Sequence, residues 1–176
     1  MKVLGIDPGT ATTGWGVIEK IKNSELRIQD CGCIETNKKL PQPERLSQIV
    51  KEIQKIIKAH KPDIAAIERL FFFKNLKTAM AVSESRGAIL ATVAASKIPV
   101  YEYTPLEIKQ ALIGYGRAEK RQIQRMVKIL LNLKDVPKPD DLADALACAI
   151  CCANSLKMNR LKFEIRSTKS ETNLKL

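Results

Sequence analysis

A chain of 176 residues with 45% apolar side chains is long enough for one domain with a real core, and too apolar to be disordered through most of its length. Its formal net charge of +11 and pI of about 9.5 point to a polyanionic partner, a nucleic acid or an anionic membrane surface. The uncharged runs Gly87–Ser96 and Ala145–Leu156 fall well short of the roughly 20 residues that a bilayer span needs, and Asp7 interrupts the first apolar run against a signal-peptide pattern; no membrane partner and a cytoplasmic location are expected.

Residues 2–7, 14–19 and 25–35 read as three successive strands, an antiparallel meander with Lys22-Asn23-Ser24 as a hairpin loop. The first, Val3-Leu4-Gly5-Ile6, delivers Asp7 to its C-terminal end, where Pro8-Gly9 turns the chain. The in–out alternation of the third strand slips at Asp30. Pro41 and Pro43 open a helix whose Leu46, Ile49, Val50, Ile53, Ile56 and Ile57 recur at helical spacing. His60, the lone histidine, falls at its end as a capping or surface residue. After Lys61-Pro62-Asp63, residues 64–67 form a fourth strand ending at Glu68. Strand, helix, strand favours a parallel crossover, which puts both strand C-termini at one sheet edge and makes Asp7 and Glu68 neighbours if the two strands are adjacent.

A long helix rich in small residues follows from about Asn75 to Ser96, and residues 99–103 form a fifth strand. Thr104-Pro105-x-Glu107 starts a helix that ends near Gly114; another spans Ala118 to about Leu131, with Arg117, Arg121, Arg125 and Lys128 opposite its apolar side. A last helix opens at Asp140 or Asp141 and runs to about Lys157. The expected division is a domain over 1–157 and a basic tail over 158–176, frayed or disordered. The five cysteines, at 31, 33, 148, 151 and 152, lack zinc-knuckle spacing and read as buried, reduced thiols.

Four acids carry the chemistry. Asp141 and Asp144 share a helix face, continued by Cys148 and Cys151, while Asp140 points elsewhere. Asp7 could be a turn former, and the helix acids could merely favour the dipole. Glu68, directly after an apolar strand, is partly buried and needs a partner. With no matching His or Cys, clustered carboxylates suit Mg²⁺, with Mn²⁺ able to substitute, and four can hold two ions in a two-metal arrangement.

Gly5-Ile6-Asp7-Pro8-Gly9-Thr10 with Gly14-x-Gly16-Val17, Ala66-Ile67-Glu68-x-x-Phe71 with Lys74-Asn75, Ala118-Glu119-Lys120, and Asp141-x-x-Asp144-Ala145-Leu146-Ala147 resemble, in order, the motifs of the RuvC-type Holliday-junction resolvases. The resemblance implies an α/β, ribonuclease-H-like fold: a five-stranded mixed sheet flanked by helices on both faces. It implies a homodimer that nicks four-way DNA junctions symmetrically and works with a RuvA–RuvB branch-migration complex. Asp7, Glu68, Asp141 and Asp144 fall on the family's catalytic acids, and Lys109 and Lys120 on basic positions needed for activity. Phe71 falls on an aromatic that stacks on a base near the crossover, a task Phe72 or Phe73 could share, with Lys74 closing the motif. Arg117 and Arg121 would contact phosphates without reading sequence. Three other readings compete. One is a ribonuclease-H-fold enzyme acting on RNA, and another a non-catalytic DNA architectural protein. The third, a sugar-kinase or actin-like ATPase, shares the Asp-x-Gly-Thr opening, but this chain is too short for the two domains such a protein needs.

Overall fold

The computed structural model describes residues 1–21, 25–69 and 76–172, with side chains left aside at 76–78 and from 157 on. The hairpin loop expected at Lys22-Asn23-Ser24 lies outside the described residues. Five strands, β1 (Lys2–Asp7), β2 (Thr12–Lys20), β3 (Leu26–Glu35), β4 (Ile64–Glu68) and β5 (Val100–Tyr103), form one sheet in the order β3-β2-β1-β4-β5. β1, β2 and β3 pair antiparallel, whereas β4 and β5 run parallel to β1. The sheet is therefore mixed, and β1 and β4 are adjacent at its centre.

The slip at Asp30 is a β-bulge. Val17 pairs with Asp30 and Ile18 with Ile28, so Gln29 is the extra residue, and Gln29 and Asp30 are both exposed.

Helices cover both faces. α1 (Gln42–His60) and α2 (Leu76–Ala95) enclose a core with Leu4, Ile6, Ala65 and Ile67 from the sheet and Ile49, Ile53, Ile89 and Val93 from the helices. α3 (Pro105–Ile113), α4 (Lys120–Leu130) and α5 (Asp140–Thr172) enclose the other, around Val3, Ala66, Ile123, Val127 and the buried stripe of α5. Local signals set the ends. Lys61 terminates α1 in the left-handed region at φ 49°, and Thr104 and Glu107 form a capping box at the start of α3. α4 starts at Lys120 rather than near Ala118, because Glu119 and Gln122 supply its capping box.

Two expectations change. His60 is half-buried, its Nε2 3.2 Å from the Asp30 carboxylate and its ring 5.9 Å from that of Trp15, so it ties α1 to β3 as well as ending the helix. α5 does not stop near Lys157 but continues to Thr172, into the stretch expected to fray. Residues 140–172 contain no glycine or proline, so no local breaker ends the helix.

Candidate active site

Side chains alternate across a strand. On β1, Leu4 and Ile6 enter the α1/α2 core, so Val3, Gly5 and Asp7 face α5. On β4, Ala65 and Ile67 enter the α1/α2 core, so Ile64, Ala66 and Glu68 face α5 as well. The parallel register pairs Ile6 with Ile67. Asp7 and Glu68, the next residues, therefore emerge side by side on one face at the C-terminal ends of two adjacent strands.

α5 reaches them because the sheet beneath it lacks side chains. Gly14 pairs directly across from Asp7. A Cβ on Gly14 would sit 2.0 Å from the Asp141 carbonyl oxygen, and one on Gly5 would sit 2.2 Å from that of Ala145. The first turns of α5 thus lie on the backbones of β1 and β2, which carries Asp141 and Asp144 to the acids of the sheet.

The turn after Asp7 is held firmly. Thr13 Oγ1 donates to the Gly9 carbonyl at 2.6 Å. Thr10 Oγ1 donates to the Ala81 carbonyl of α2 at 2.7 Å and lies 2.8 Å from Ser85 Oγ. The end of β4 has its own clasp: Arg86 of α2 donates from Nε to the Glu68 carbonyl at 3.3 Å and pairs with the Glu102 carboxylate of β5.

A pocket is lined by Glu68, Asp144, Lys109 and Lys120, with Ile108 and Ile123 among its apolar walls. Lys120 Nζ lies 3.0 Å from the Asp144 carboxylate and 3.2 Å from that of Asp140. Asp140 is exposed and also accepts from Gln124 Nε2 at 2.8 Å, so it belongs to the rim. The electrostatics of the acids reflect their convergence. Burial, then repulsion from Glu68, Asp144 and Asp141, pushes the Asp7 carboxyl well above its usual range, with Lys120 opposing. Burial and Asp144 push Glu68 up to about 7, against the pull of Lys120 and Lys109. Asp144 is raised by burial and by Asp140 and Asp141, against its hydrogen bond from Lys120. Burial opposes the charge on Lys120, yet its bonds to Asp144 and Asp140 leave it raised. The neighbouring thiols stay protonated: Cys148 is raised by burial and then by Glu68, and Cys33 by burial and then by Asp141.

The donors that remain are hard carboxylate oxygens, the set that suits Mg²⁺ or Mn²⁺. Among the described residues, however, no group of three or more His, Cys, Asp or Glu is already arranged to hold a metal ion. The acids lie within electrostatic reach of one another, and Asp144 is engaged by Lys120.

Of the expected DNA-contact residues, Lys109 and Lys120 line the pocket. Arg117, in the turn before α4, and Arg121, in its first turn, are both exposed, and no described hydrogen bond or ion pair joins them to the acids. Phe71, Phe72, Phe73 and Lys74 lie outside the described residues. Sequence reasoning missed Arg86, the clasp on Glu68. Its one signal was a lone arginine beside an uncharged helical stretch. Along the sequence the glycines at 5 and 14 are only motif letters; in the fold they are the floor under α5.

A sequence model described as "Crossover junction endodeoxyribonuclease RuvC" matches residues 3–152. A protein of that name from Caldicellulosiruptor saccharolyticus is 53% identical over 151 residues, 86% of this chain and 91% of its own. Another from Halothermothrix orenii is 51% identical, covering 91% of this chain and 96% of its own. The solved structure of Thermus thermophilus RuvC superposes with a TM-score of 0.84 at 35% identity, over 90% of this chain and 97% of that one. The same protein solved in complex with Holliday junction substrate gives 0.82 at 32% identity, over 90% of this chain and 96% of that one. The fold is accordingly the ribonuclease-H-like one, with the five-stranded mixed sheet and two helical layers expected.

Proposed function

This chain belongs to the RuvC family of crossover junction endodeoxyribonucleases, and from that premise we propose that it resolves four-way DNA junctions by paired, symmetric nicks, in recombination and repair. The observation that carries the proposal is the emergence of Asp7 and Glu68 side by side, under Asp144 and beside Lys109 and Lys120.

The fit to divalent ions rests on the donor set: oxygen-only, electrostatically crowded, with its thiols protonated. Asp7, Glu68, Asp141 and Asp144 would hold two Mg²⁺, with Mn²⁺ as substitute. When bound, such ions relieve the repulsion, activate the attacking water and stabilise the leaving 3′ oxygen. The chain's own residues do the rest. Adjacent, paired strand ends hold Asp7 and Glu68 side by side, so the spacing of these two acids is set before DNA binds. Lys109 and Lys120 stand where a phosphodiester enters, and Lys120 can exchange Asp144 for a phosphate oxygen. Phe71, with Phe72, stacks on a base unpaired at the crossover, and Lys74, Arg117 and Arg121 hold phosphates.

Matched nicks in a two-fold junction call for a two-fold dimer. Met80, Glu84, Gly87 and Ala91 lie on one exposed side of α2, small at its centre, and supply the self-complementary surface of a homodimer. Delivery by a RuvA–RuvB branch-migration complex in the cytoplasm completes the reading; no described helix is long and apolar enough to cross a membrane. The test is a synthetic four-way junction with Mg²⁺. Asp7→Asn is expected to bind it and leave it uncut. Normal cutting by that variant, or preference of the wild type for linear RNA, would overturn the proposal.

A further inference from the structure

A second pocket opens on the other side of the acids, lined by the Gly9–Thr12 turn, Ala81 and Val82 of α2, Asp141, and Arg45 of α1. Arg45 is half-buried. Its Nε donates to Thr36 Oγ1 at 2.8 Å, and Thr36 Oγ1 donates to the Thr10 carbonyl at 2.6 Å. Two hydrogen bonds in series therefore tether the guanidinium to the turn that follows Asp7. The tether uses only Nε. Among the described residues no carboxylate forms an ion pair with Arg45. By contrast Arg86, also half-buried, is neutralised by Glu102. A partly dehydrated guanidinium with no carboxylate paired to it is costly to keep, and its two terminal nitrogens match two oxygens of one phosphate.

The acids thus stand between two pockets. One is lined by Glu68 and Asp144 and carries Lys109 and Lys120; the other is lined by Asp141 and carries Arg45. We propose that Arg45 binds a backbone phosphate of the cut DNA strand beside the scissile one, on the side away from Lys109 and Lys120. The strand would then be held on both flanks of the acids, and its register over them fixed from the turn that carries Asp7. This rests on the nuclease reading and adds to it a specific phosphate subsite.

The experiment measures binding of a four-way junction in EDTA over a range of salt concentrations, beside a melting curve for each variant. Arg45→Gln is expected to bind severalfold more weakly, with the slope of log K against log salt shallower by about 0.9 for each phosphate that is no longer neutralised. Arg45→Lys is expected to restore most of that slope, because a point charge still releases counterions. Ala11→Glu, at an exposed position on the rim, is expected to weaken binding while leaving Arg45 packed. An Arg45→Gln protein that melts normally and keeps the wild-type slope overturns the subsite while the nuclease reading stands. If Arg45→Gln fails to fold, Ala11→Glu decides, and wild-type binding by it overturns the subsite. A wild-type protein that binds no junction removes the subsite together with the reading beneath it.

Discussion

Glu68 shows at the level of one side chain how a site of this kind opposes the stability of its own fold. Its carboxyl titrates near 7 in the folded chain because burial and Asp144 disfavour the charge, against the ordinary carboxylate range in the unfolded one. Between those two pH values the folded state holds more protons, so stability falls as pH rises through that window, and the loss is complete above about pH 7. Asp7 is shifted in the same direction. Urea unfolding in EDTA is expected to show the protein weaker at pH 8 than at pH 5 by about 2–3 kcal/mol from Glu68 alone. Glu68→Gln is expected to flatten that dependence, to be more stable than wild type at pH 8, and to abolish cleavage. A wild type that gains stability over this interval would contradict the burial assigned to Glu68. Arg86→Gln tests the other end of the same residue. Removing its bond to the Glu68 carbonyl is expected to lower kcat more than junction affinity, with Arg86→Lys recovering part of the loss.

Among the elements, α5 depends on the glycines beneath it. Gly14→Ala would place a methyl group 2.0 Å from the Asp141 carbonyl oxygen, backbone that cannot rotate away. Overpacking of this sort costs about 1–3 kcal/mol or more, and here the displacement falls on the turn that carries two of the acids. The expected outcome is a lower melting temperature with cleavage lost further than stability, measured by thermal unfolding and junction cutting. Gly5→Ala is expected to behave likewise through Ala145. The bulge at Gln29 is a separate device. It returns β3 to register so that Cys33 pairs with Gly14, and Gly14 in turn with Asp7, in one row across the sheet.

For the whole molecule, the exposed side of α2 is the surface proposed above for the homodimer. Ala91 is exposed near its centre. Ala91→Arg places a charge where two copies would meet, without disturbing Ile89 or Val93 in the core. Sedimentation is expected to move the protein from dimer to monomer, and the two nicks of one junction are expected to lose their pairing. A dimer that survives this change would place the interface elsewhere. The basic chain should also show steep salt dependence of junction binding, since phosphate contacts release counterions.

The strands and the main helices were legible in order along the chain, because period-two and helical spacing, proline starts and the Thr104 cap are local signals. The adjacency of Asp7 and Glu68 was legible as a condition, and strand order met it. α5 runs past Lys157 to Thr172, because the polar composition that suggests an earlier end contains no helix breaker. Tertiary structure alone decided what depends on contact across distant parts of the chain. It set the glycine floor under α5, put Arg86 on the Glu68 carbonyl, and tied Arg45 through Thr36 to the turn beyond Asp7. Periodicity says which side of an element is buried; only packing says which backbone atom another element will touch.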